Sequence, residues 1–208
     1  MEDYFAAHET ARWILVGLLV AGTAWTTLRL LVIRGVDVAE TPGAYAVNRE
    51  SDAAHLAMST AMLLMLTTSV AHSLWTAVFL VFAVACIGPL TVHLIRCRRT
   101  GPTRNIDGIA ASGYHLVAAA AMAYSTLGHR GHGAHHMEGT AAQSLPIPFI
   151  GYLMTALFAL DALVVVVLAT TMPAPATRNP LHSHRIGVFP HFAMDVAMAS
   201  MLAAALLG

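Results

Sequence analysis

Six apolar stretches, about 12–33, 53–71, 74–95, 108–127, 148–172 and 188–207, take up most of this chain. Each approaches the roughly 20 residues that an α-helix needs to cross a hydrocarbon layer about 30 Å thick. In lipid every backbone N–H and C=O must be satisfied within the protein, which leaves helices and closed barrels as spanning structures. Continuous apolar runs of this length, rather than short alternating ones, select helices. The expected fold class is all-α: a polytopic transmembrane helical bundle, six spans as three hairpins, forming one membrane domain over residues 1–208. Composition agrees, with 57% hydrophobic and 11% charged residues. The leader Met1-Glu2-Asp3-Tyr4 is acidic and the apolar stretch after it is long, so a span is expected there rather than a cleaved signal peptide.

The basic residues give an orientation. All 11 are arginine. Arg29, Arg34 and Arg49 flank the first connection, Arg96, Arg98, Arg99 and Arg104 the third, and Arg178 and Arg185 the fifth. Only Arg12 and Arg130 fall on the other side. The positive-inside rule then puts these odd connections in the cytoplasm and both termini outside a cytoplasmic (inner) membrane. The net charge is zero, so nothing points to nucleic acid. Cys86 and Cys97 make neither a disulfide framework nor a zinc-finger spacing.

A seven-residue spacing recurs within the apolar stretches: His55 and Met62, His115 and Met122, His191 and Met198. Seven residues are about two helical turns, so each pair shares a helix face about 10 Å apart along the axis. With 12 His and 11 Met in 208 residues, random placement gives fewer than one such pair. The three pairs lie on spans two, four and six, the second helix of each hairpin, and the chain reads as a degenerate threefold repeat. The stripes extend to Met58, Met65 and His72 on the second span, His129 after the fourth, and Met194 and Met201 on the sixth. Small residues, including Gly113 and the run Ala118–Ala121, mark the fourth span as central.

If the stripes face one another, His55, His115 and His191 form one layer, joined by Met58 and Met194. Met62, Met122 and Met198 form another about two turns further out. Imidazole and thioether together suit copper(I), and a polar group inside a membrane is a functional candidate by default. The pattern therefore points to a protein that binds a soft metal, copper(I), and transports or senses it, rather than to an enzyme. No nucleotide-binding motif stands in the chain, so transport would be passive or driven by a partner. Asp195, four residues after His191, is placed to orient an imidazole. Asp161 lies mid-span and relates to a His or a hydroxyl partner. The loop holding His129, His132, His135, His136 and Met137 is suited to metal capture outside the membrane. Two alternatives stay open. His115 and His129, fourteen residues apart, have a spacing that serves stacked haems, although His55 and His72 are seventeen apart. His55, His115 and His191 also match the ligands of a zinc-dependent intramembrane hydrolase, with Ser59 and Asp195 near its water. The expected partners are lipid, a metal ion, and a second copy or another membrane protein.

The motifs Asp52-Ala-Ala-His55-Leu-Ala-Met58, Gly113-Tyr114-His115 and Pro190-His191-Phe-Ala-Met194 resemble those of an actinobacterial family of small six-span, His/Met-rich integral membrane proteins, a domain of unknown function. The resemblance implies a polytopic membrane fold and assigns no activity.

Overall fold

The protein is described by a computed structural model over residues 2–32, 49–68, 71–100, 106–127, 147–171 and 188–207. These residues form a short helix, α1 (Glu2–Ala7), and six long ones: α2 (Glu9–Val32), α3 (Arg49–Thr67), α4 (His72–Thr100), α5 (Ile106–Leu127), α6 (Pro148–Thr171) and α7 (Phe189–Leu207). Local chemistry sets several boundaries. Glu9 opens α2, Glu50 and Asp52 lie in the first turn of α3, and Asp107 in that of α5, each complementing the positive end of a helix dipole. Arg98 and Arg99 do the converse at the end of α4. Pro148 and Pro190 occupy first turns, where a missing N–H leaves no helical bond unmade. Hydroxyls inside the apolar helices bond to their own backbone four residues back, as from Thr26 to Gly22 at 2.9 Å and from Thr60 to Leu56 at 2.7 Å.

Consecutive long helices pair as α2–α3, α4–α5 and α6–α7. Cross-links fix their antiparallel sense. Arg29 near the end of α2 grips Asp52 at the start of α3 through two bonds of 2.6 and 2.8 Å. Thr76 near the start of α4 meets Thr126 at the end of α5 at 2.8 Å. α5 touches α3, α4, α6 and α7, the central position that its small residues predict, and Ala118, Ala119 and Ala121 are buried. α7 is the most enclosed candidate span, whereas α4 presents most of its apolar surface outward. One core cluster holds Leu19, Phe79, Met58, Met62, Met122, Met194, Met198 and Met201.

Among the described residues five helices are long and apolar enough to cross a membrane: α2, α4, α5, α6 and α7. The chain is thus a multi-pass helical membrane protein. α3 stands outside that set. At 19 residues it is about 28 Å long, yet Arg49, Glu50, Ser51, Asp52, His55 and Ser59 make it polar. Its buried residues are Ser51, His55, Met58, Ser59, Ala61, Met62 and Leu66, so polar groups face protein. It also begins and ends about four residues before the expected 53–71.

Candidate metal centre

His55, His115 and His191 are all buried and meet at the junction of α3, α5 and α7. They form a chain of rings rather than a common point. His115 Nδ1–H donates to the Ala111 carbonyl at 2.7 Å, which leaves its Nε2 as an acceptor. His55 Nδ1–H is shared between the Ser51 carbonyl at 2.9 Å and His115 Nε2 at 3.0 Å. His55 Nε2 is then the acceptor for His191 Nδ1–H at 2.8 Å. Carbonyl oxygens cannot donate, so they assign every tautomer of the neutral chain. The two neighbours of His55 approach opposite nitrogens of its ring, so in this arrangement the three imidazoles do not point at one common centre. Ring centroids only 4.5 Å apart for His55 and His115 leave no slot for a porphyrin between them.

The chain ends at carboxylates. With its Nδ1–H committed to His55, His191 turns Nε2 toward Asp161 on α6, 3.6 Å from Oδ2. Asp195, four residues after His191 and on the same helix face, joins them. One donor atom from each of Asp161, His191 and Asp195 lies within 4.8 Å of the others. Tyr114 closes the cluster: its hydroxyl donates to Asp195 Oδ1, and its ring lies 4.1 Å from that of His191, centroid to centroid. Asp195 is fully buried and its Oδ2 meets no hydrogen-bond donor among the described residues. A nitrogen lone pair facing carboxylates in a dry interior is repulsive. Only positive charge between them, a proton or a metal ion, makes that approach favourable. Metal bonds of 2.0–2.2 Å place donors roughly 3.3–4.4 Å apart, within reach of this cluster by small side-chain movements.

The other expected site residues fall as follows. Met58, Met62, Met122, Met194 and Met198 are fully buried in the apolar core, and Met65 is half-buried. His72 departs from expectation: α3 ends at Thr67, and His72 opens α4, so it does not continue the α3 stripe. His129, His132, His135 and His136 lie outside the described residues. Sequence reasoning quoted Tyr114 only within a motif and gave it no role, and it left the partner of Asp161 open between a His and a hydroxyl, which the structure shows as His191. The available signal was that spans five and six, partners in one hairpin, carry one intramembrane aspartate each.

Fold and site together define a multi-pass helical membrane protein with a carboxylate–imidazole cluster, able to hold a metal ion, buried among its helices. The chain belongs to the family described as a domain of unknown function (DUF5134), whose profile matches residues 47–205. That stretch contains every residue of the cluster and leaves out α2. No curated protein and no solved structure matches the chain.

Proposed function

We propose that this protein handles a divalent transition-metal ion within the membrane, binding it at Asp161, His191 and Asp195 and passing it between the two faces. One observation carries the reading: one donor atom from each of Asp161, His191 and Asp195 gathers in the interior, within 4.8 Å of the others. Imidazole and carboxylate donors without thiolate suit zinc. His55 supports the centre by accepting the Nδ1–H of His191, which keeps Nε2 for the metal, and His115 supports His55 in turn. In this reading α3 is a sixth span that turns its polar face into the bundle. The arginine-rich end is cytoplasmic and the termini are outside.

A second reading is copper(I) bound by His55, His115 and His191 with the methionines. It is favoured by the burial of Met58, Met62, Met122, Met194 and Met198 in the same core. Metal analysis of the detergent-purified protein separates the two. The zinc reading expects about one tightly held zinc per chain, lost in Asp161→Asn/Asp195→Asn. The copper reading expects copper(I) retained in that variant and lost when Met62, Met122 and Met198 become Leu. A parent protein that holds no metal after exposure to either ion contradicts both.

A further inference from the structure

Of the candidate spans, α4 is the least enclosed. α5 is the one described helix that packs closely against it, and Trp75, Thr76 and Phe79 are buried. On another side of α4, Val81, Val84, Gly88, Val92, Ile95 and Arg99 fall within about an 80° arc at 100° per residue. All six are exposed, Val81 and Val84 by 68%. Gly88 makes a dent in this stripe. A Cβ there would meet nothing within 4 Å, so no described neighbour requires the glycine, although glycine weakens a helix interior. The run from Ser73 to Ile95 is roughly 34 Å long, enough to fill a hydrocarbon layer of about 30 Å. The last turn of α4 then lies among lipid headgroups. Arg98 and Arg99 are exposed there, and neither pairs with a carboxylate among the described residues. α4 itself carries no acidic residue. The helix terminus offers only about half a negative charge, so this end of α4 stays positive.

We propose that this outer face of α4 is a docking surface for an anionic phospholipid. Arg98 and Arg99 hold the headgroup phosphate, and one acyl chain lies along Val81, Val84, Gly88, Val92 and Ile95. A guanidinium presents paired N–H donors that match phosphate oxygens. Arg99 crowns the stripe, so a bound headgroup stands directly above the acyl chain it belongs to. A second copy of the chain is the other occupant such a stripe could take, and charge disfavours it. Copies inserted in one orientation run α4 parallel to α4, and a twofold pair along the stripe sets Arg99 against Arg99. An anionic headgroup neutralises the same arginines. None of these residues belongs to the buried aspartate–histidine cluster.

The test uses full-length protein in detergent, titrated with phosphatidylglycerol or with phosphatidylcholine of the same acyl chains. Bound lipid is read by native mass spectrometry, and folding by the melting temperature in phosphatidylcholine. Phosphatidylglycerol is expected to bind more tightly by about tenfold or more, each arginine near an anionic surface contributing roughly a factor of five. Arg98→Gln/Arg99→Gln is expected to lose that preference while melting as the parent does in phosphatidylcholine. Gly88→Leu keeps the charge and fills the dent, and is expected to weaken phosphatidylglycerol severalfold. Inorganic phosphate at the same concentration is expected to displace no lipid. Equal affinity for the two lipids, phosphatidylglycerol binding unchanged in either variant, or displacement by inorganic phosphate overturns the proposal. So does a disulfide-linked dimer of Gly88→Cys on a Cys86→Ser/Cys97→Ser background oxidised in its membrane, which gives the stripe to a second copy.

Discussion

At the scale of single residues, the account turns on which atom of each side chain is committed. His191 commits Nδ1–H to His55 and Tyr114 commits its hydroxyl to Asp195, which turns His191 Nε2 toward the carboxylate of Asp161. Tyr114→Phe keeps the ring and removes the hydroxyl. It should weaken zinc by about 10- to 100-fold, the usual effect of losing an outer partner of a metal ligand, read by chelator competition. His55→Leu should do the same by freeing the His191 tautomer. Replacing Met62, Met122 and Met198 by Leu should leave zinc affinity unchanged and thermal stability close to that of the parent, because each volume-conserving swap costs under about 1.5 kcal/mol. The convergence of His55, His115 and His191 was legible in the sequence because a seven-residue period keeps side chains on one helix face. Their wiring was not. Which ring nitrogen points where depends on carbonyls such as Ala111 O and Ser51 O, and on helix rotations that periodicity leaves open.

At the scale of elements, the hairpins are held by a few specific contacts in a bundle otherwise packed with small and aliphatic residues. Arg29 is 3% exposed and paired with Asp52 across the α2–α3 hairpin. Removing one partner of a buried pair strands a charge and costs on the order of 3–5 kcal/mol, whereas replacing both with apolar residues is often near neutral. Arg29→Met alone should therefore lower the melting temperature in detergent more than Arg29→Met/Asp52→Leu. Gly22 brings α2 against α7, since a Cβ there would stand 3.2 Å from Ala193 Cβ. Gly22→Val should force the two helices apart, with an overpacking penalty of about 1–3 kcal/mol. A melting curve unchanged from the parent would contradict this packing. Helices α2, α4, α5, α6 and α7 were legible as uninterrupted apolar runs. α3 was legible as a helix, but its boundaries fell four residues earlier because Glu50 and Asp52 serve as first-turn acids rather than as the edge of a lipid-facing run. The role of Asp161 was hidden for a related reason: a lone acid in a span reveals its partner only when the neighbouring helix is placed beside it.

At the scale of the whole molecule, the polar groups are arranged within an apolar bundle. A cavity opens where α3 and α5 begin, His115 lines it, an aspartate–histidine cluster lies among the helices, and the methionines are buried in the core. The orientation proposed from the arginines is checked by an engineered cysteine at Gly133 on a cysteine-free background. In intact cells it should react with an impermeant reagent, and protection would reverse the assignment. The most direct test of the central claim is the X-ray absorption spectrum of the zinc-loaded protein at the metal edge. The account predicts a first shell of nitrogen and oxygen alone at about 2.0–2.2 Å, diminished in Asp161→Asn/Asp195→Asn. A sulfur shell near 2.3 Å in the equilibrium complex, or a spectrum identical in that variant, would contradict it.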